Sequence, residues 1–306
     1  MKNKRIVSFL PSATELIYEL GAQERLFGVT HECNFPNDAT NKPRVIESVF
    51  DPEKMSSQEI DNKICSLSEK GEDIYKLITE NLTKAKPDLI ISQEICEVCS
   101  AYTNQVNTAI EILEEKPEVY SMNPHNVEEI LKSVKDISVK INEEQNGEKI
   151  LNSLNTRINR IKHSGFNTTP KVLAVEWIKP YFTAGHWIPE MINYSGGINL
   201  ITKSGEHSRK MSIEEIEDAD PDVLILMPCG FDVKKTVSEY GKYLKDDLRW
   251  NKLRAVKNNR VFAVDANSFF SKPSIRIITG IEILGKILHP EIFSELEVPS
   301  NSFLKI

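Results

Sequence analysis

Two periodicities alternate along this chain. Short, continuous apolar runs bounded by turn residues read as strands buried on both faces, at residues 5–10, 26–30, 88–93, 118–121, 171–177, 222–227 and 260–264. Between them, apolar positions recur at three- and four-residue steps and predict helices. These open at Pro11 and run to Leu20, then cover 58–67, 74–85, a stretch ending near 115, 190–194 and 274–288. The longest periodic stretch is 126–162. Its stripe of Val127, Ile130, Leu131, Val134 and Ile137 follows Asn126 as N-cap, and a break is expected at Asn146-Gly147. Ser12 with Glu15, and Ser212 with Glu215, stand at capping-box spacing. Residues 37–57 read as loop.

The strand-helix alternation occurs on both sides of the long helical stretch and predicts an α/β fold. Two α/β lobes, 1–125 and 166–306, are expected to be bridged by a helical segment at 126–165. One internal echo links the halves. Pro87-Asp88 precedes a buried strand followed by Cys96, and Pro221-Asp222 precedes another followed by Cys229. Ligands of open α/β sheets bind at the carboxyl ends of strands, so a shared ligand cleft between the lobes is the expectation.

A net charge of -7 argues against nucleic acid as a partner, because binding it calls for a basic face. No apolar run reaches the ~18 residues of a spanning helix. The basic first residues are followed by only five apolar-rich positions before Pro11, so this segment reads as a strand rather than a leader. Five cysteines, an odd number, suit a reducing compartment. A cytoplasmic protein is therefore expected, and an extracytoplasmic one only if the true start lies upstream.

The run from Arg5 to Glu15, with Leu20-Gly21, Phe27-Gly28-Val29, the strands after Pro87 and Pro221, 260–265 and a closing helix carrying Arg276, resembles the cobalamin- and iron-siderophore-binding proteins of ABC importers. Within that family it is similar to sequences carrying His31-Glu32-Cys33, Cys96-Glu97-Val98-Cys99, Gly185–Met191 and Met227–Phe231. The resemblance covers nearly the whole chain. It implies two lobes bridged by one long helix, a corrinoid or metal chelate as ligand, and an ABC permease as partner.

Candidate chemistry concentrates at predicted strand ends. Cys33, Cys96, Cys99 and Cys229 offer a four-sulfur set suited to zinc or an iron–sulfur cluster. His31 and His186 offer nitrogen ligands to such a metal or to a corrinoid cobalt. Trp177, His186, Trp187, Phe231, Phe269 and Phe270 would suit a flat apolar ligand or, equally, pack the lobes. Glu176 is the candidate general acid or base, and a structural hydrogen bond would account for it too. His125, His163, His207 and His289 read as surface or helix-end residues. Three readings stay open: a corrinoid- or chelate-binding protein, a cytoplasmic metalloenzyme on the same fold, and an importer component with an upstream leader.

Overall fold

The computed structural model describes residues 3–94 and 103–306. Residue contacts divide the chain into two compact units. One comprises Met1–Lys54, Asn62–Pro124 and Glu128–Asn152, the other Met55–Asp61, His125–Val127 and Ser153–Ile306.

The first unit alternates strand and helix: β1 (Ile6–Ser8), α1 (Pro11–Glu19), β2 (Leu26–Thr30), β3 (Arg44–Ser48), α2 (Ser57–Glu69), β4 (Tyr75–Leu77), α3 (Thr79–Ala85), β5 (Leu89–Gln93), α4 (Thr103–Ile112) and β6 (Glu118–Met122). The sheet order is β4-β3-β2-β1-β5-β6, parallel except for the β3–β4 edge pair. Every residue of β5 is buried, as a central parallel strand with both faces covered requires. Strands β3 and β4 fall where loop and helix were expected. Their apolar content is one or two buried residues each (Val45, Ile46, Tyr75), too little for a strand period to register.

The expected Ser12–Glu15 box is not formed. Helix α1 starts at Pro11 as expected, with Pro11 in its first turn and extended Leu10 rather than Ser12 as N-cap, and the buried Ser12 hydroxyl has no partner. The helical stretch is α5 (Val127–Lys140) followed by α6 (Glu144–Lys162). Its break lies at 141–143, before the expected Asn146-Gly147. Asn142 takes the left-handed conformation at φ 58°, which asparagine tolerates better than most side chains. The Glu143 amide then donates to the Ser138 carbonyl. Arg25 holds the turn by donating to the Ile141 carbonyl and the Glu143 carboxylate, at 2.7 and 2.6 Å. Gly147 is a packing glycine: a Cβ there would sit 2.4 Å from Ser138 Oγ on α5.

The second unit contains β7 (Lys171–Trp177), β8 (Phe182–Thr183), α7 (Ile188–Tyr194), β9 (Ile198–Asn199), β10 (Arg209–Lys210), α8 (Ile213–Ala219), β11 (Val223–Leu226), α9 (Val233–Tyr243), α10 (Arg254–Lys257), β12 (Val261–Val264), α11 (Ala266–Phe269), α12 (Ile277–Leu288) and β13 (Phe303–Lys305). Its sheet runs β10-β8-β7-β11-β12-β13, with β9 beside β7. The central β7, β11 and β12 are parallel. The Ser212–Glu215 box caps α8 as expected, with both reciprocal bonds present.

The Pro-Asp echo has a structural basis. In the first unit the Asp88 amide donates to the Arg5 carbonyl, and its carboxylate accepts from the Arg5 amide at 2.8 Å. In the second, Asp222 makes the same pair of bonds to Lys171. Each aspartate thus pins the start of a central strand to its parallel neighbour, β1 against β5 and β7 against β11. Among the described residues no helix is long and apolar enough to cross a membrane.

Candidate functional site

The carboxyl ends of β7 and β11 gather most of the second unit's candidate chemistry. Parallel pairing in register, with Val175 opposite Leu226, brings the residues after both strands to one edge. Trp177 is half-buried and its ring lies 5.4 Å from that of Phe231, tilted by 57°. The Lys235 ammonium sits 4.1 Å from the Phe231 ring centre, a cation–π distance. Cys229 is half-buried beside them, its amide donating to the Glu176 carbonyl at 3.1 Å. The Glu176 carboxylate accepts from the Ser208 hydroxyl, a structural hydrogen bond of the kind weighed against the acid/base role.

The other aromatic candidates are committed to packing. Trp187 is 5% exposed and its indole N–H donates to the Phe270 carbonyl at 2.8 Å. Phe269 and Phe270 are buried, with the Arg276 guanidinium over the Phe269 ring.

His186 is half-buried in the left-handed conformation at φ 53°. Two segments are zipped backbone to backbone at this point. The His186 amide donates to the Glu206 carbonyl at 2.6 Å, the Gly205 amide donates to the His186 carbonyl, and the Gly185 amide donates to Ser208 Oγ. Gly185 permits this approach, because a Cβ there would lie 2.4 Å from the Glu206 oxygen and the Ser208 nitrogen. The zipper sets the His207 ring 5.0 Å from that of His186, edge to face. His125 completes a cluster, its ring 5.9 Å from His186 and 5.5 Å from His207. Burial, then the two neighbouring imidazoles, pulls His186 down to about 4.

The reading of these histidines as surface or helix-end residues fits the exposed His207 but misses its clustering with His125 and His186. His207 is exposed but clustered, and His125 is half-buried. The three lie far apart in sequence, so no local spacing announces them. His163 is exposed on its helix end, whereas His289, at the end of α12, is fully buried against the Gly196 carbonyl.

In the first unit, His31 follows β2 and its ring lies 5.7 Å from that of Tyr75. With Phe9, Pro11, Thr30, Glu32 and Ile46 they line a shallow concavity that encloses no space for a ligand. Cys33 is fully buried, its sulfur 3.1 Å from the Thr14 hydroxyl and 3.3 Å from that of Thr30. Cys96 and Cys99 lie outside the described residues. Among the described residues no group of three or more His, Cys, Asp or Glu side chains could hold a metal ion. The four-sulfur zinc or iron–sulfur expectation thus gains no support.

The family model described as periplasmic binding protein matches residues 6–268. The vitamin B12-binding protein of Vibrio parahaemolyticus is 22% identical over 91% of this chain and 86% of its own length. An ABC transporter substrate-binding lipoprotein of Bacillus subtilis is also 22% identical, over 95% and 82% respectively. Among solved structures, the periplasmic vitamin B12-binding protein of Vibrio cholerae superposes with a TM-score of 0.68 at 20% identity, covering 93% of this chain and 96% of that one. A periplasmic heme-binding protein of Pseudomonas aeruginosa gives 0.71 at 17%, covering 94% and 93%.

The likeness to those structures is one of fold. These relatives overturn the cytoplasmic expectation, since they are named as periplasmic proteins or a lipoprotein. That expectation rested on an odd cysteine count and on a short apolar run near the N-terminus, and neither decides the compartment. With the match spanning most of the sequence and both α/β sheets in place, the chain belongs to the periplasmic binding protein family.

Proposed function

We propose that this protein is the binding component of an ABC importer, capturing a corrinoid outside the cytoplasmic membrane and passing it to a membrane permease. Family membership supports the importer role, and the names of the relatives support the ligand class. The observation that carries the residue-level reading is the half-buried Trp177 beside Phe231, rings tilted at 5.4 Å, at the carboxyl end of β7. An aromatic shelf at a strand end suits the face of a flat macrocycle. Trp187, Phe269 and Phe270 are buried and serve as packing instead.

The test is a titration of the full chain with cyanocobalamin, hemin and a ferric hydroxamate chelate, followed by tryptophan quenching and by absorbance. Saturable one-to-one binding of cyanocobalamin, weakened about tenfold by Trp177→Ala with the melting temperature unchanged, is expected from the loss of one aromatic contact. Binding of hemin alone would move the assignment to heme. Failure of all three to bind would sink it.

A further inference from the structure

We propose that the molecule held against Trp177 carries an oxyanion, a carboxylate or a phosphodiester, and that Lys235 and Lys272 receive it. The inference rests on the aromatic shelf described above and names the charge its occupant must bear. All of its residues lie within the second unit.

Strands β11 and β12 pair in parallel, so the segments leaving their carboxyl ends emerge side by side, at the edge where Trp177 ends β7. Residues 227–235 and 265–276 make up those segments. They carry Lys234, Lys235, Lys272 and Arg276 against Asp232 and Asp265, a positive surplus in a chain whose net charge is -7. Both carboxylates are engaged as helix caps. Asp232 accepts from the Lys235 amide at 2.7 Å, and Asp265 accepts from the Ser268 amide at 2.9 Å. A patch of one sign against the sign of the whole protein concentrates ligands of opposite charge.

Phe231 ties the two lysines together. Its ring lies 4.1 Å from the Lys235 ammonium. Its carbonyl accepts from the Asn267 amide at 3.1 Å, and the Asn267 side-chain oxygen accepts from Lys272 Nζ at 2.8 Å. The Gly230 amide donates to Ser271 Oγ at 3.2 Å and fastens the same two segments a second time. Lys272 is half-buried, yet this acceptor is a neutral amide oxygen, which spends one N–H of an ammonium that has three. Phe231 is itself buried, so Trp177 supplies the apolar face and the lysines supply the charge. That pairing suits a flat macrocycle with an acidic substituent, and an ammonium, as a compact point charge, accepts either kind of oxyanion.

The experiment compares, on the full chain, probes that differ in the oxyanion. Cyanocobalamin has a phosphodiester, and dicyanocobinamide has the same corrin ring without it. Hemin has free carboxylates, and its dimethyl ester has none. Lys235→Met and Lys272→Met should each lower the ratio of acidic-probe to neutral-probe affinity about tenfold, the low end for a partly exposed charge-assisted hydrogen bond. Neither lysine is fully buried, so these variants keep the fold, with the melting temperature as the check. A fall in the corrin pair's ratio assigns the phosphodiester, and a fall in the heme pair's ratio assigns the carboxylate. Trp177→Ala should weaken both members of a pair alike. Ratios within about twofold of the parent in both lysine variants would overturn the oxyanion assignment. The shelf itself would then stand if Trp177→Ala still weakened binding. Failure of every probe to bind would overturn both readings.

Discussion

Replacing Gly185 with alanine should destabilise the second unit by about 2–4 kcal/mol. The added methyl would lie 2.4 Å from the Glu206 oxygen and the Ser208 nitrogen, and 2.6 Å from the His207 carbonyl carbon. Ordinary contact begins near 3.4 Å, so the 206–208 backbone must retreat by about 1 Å (3.4 − 2.4). Backbone is a poor shock absorber, and overpacking of this kind costs roughly 1–3 kcal/mol. Retreat also stretches three hydrogen bonds of the zipper, each worth a net ~0.5–1.5 kcal/mol. The two costs overlap, because movement relieves one by incurring the other, which keeps the total below their sum.

The assay is guanidinium unfolding followed by tryptophan fluorescence. All three tryptophans, Trp177, Trp187 and Trp250, belong to the second unit, so the signal reports on it alone. Gly241→Ala is the control. Gly241 lies inside α9 with open space around its would-be Cβ, so the same chemical change there should stabilise by about 0.5–1 kcal/mol. A Gly185→Ala protein within about 0.5 kcal/mol of the parent would refute the reasoning, that being the range of a neutral surface change.

Two other predictions concern charge. Native His186 titrates at about 4 against 6.5 for the unperturbed side chain, so the unfolded chain binds more protons between those values. Its contribution is therefore fully present above pH 6.5 and lost as pH falls towards 4. After discounting for its partial exposure the loss is roughly 1–2 kcal/mol. Denaturation across this window should show that slope, and His186→Asn should flatten it. Arg157→Met should cost about 2–3 kcal/mol by thermal melts. It strands the Glu282 carboxylate, which is only 8% exposed and accepts two Arg157 N–H bonds at 2.9 and 2.6 Å, and partial access of water to Arg157 keeps the loss below that of a fully buried pair. A loss under 1 kcal/mol would show that water already solvates Glu282.

The central strands were legible because burial on both faces leaves an unbroken apolar run, as at Lys171–Trp177, where expected and observed bounds coincide. The Ser212–Glu215 box was legible because both halves of the signal are local. Ser12–Glu15 carried the same letters and failed, since Pro11 fits a first helical turn and set the start upstream of Ser12. At the long helical stretch, Asn146-Gly147 drew attention away from Asn142. Glycine has two uses, and Gly147 serves close packing rather than a turn. The histidine cluster was not legible at all. Its members meet through a backbone zipper that only the folded chain defines. For the cysteines, sequence placed four at strand ends, yet Cys33 proves sealed between two threonine hydroxyls.

Glu239, on α9, is 5% exposed, and its carboxylate accepts from both the amide and the hydroxyl of Ser57, at 3.1 and 2.5 Å. Ser57 comes from Met55–Asp61, a short early segment that packs with the second unit. The second unit is therefore not a contiguous module that recombination could lift out with one crossover. A chimaera joining 153–306 to an unrelated N-terminal half would inherit a desolvated carboxylate with no donors, unless the new half happened to supply a hydroxyl at that spot. In this chain, exchange of halves is thus constrained by one serine that lies nearly a hundred residues before the apparent seam.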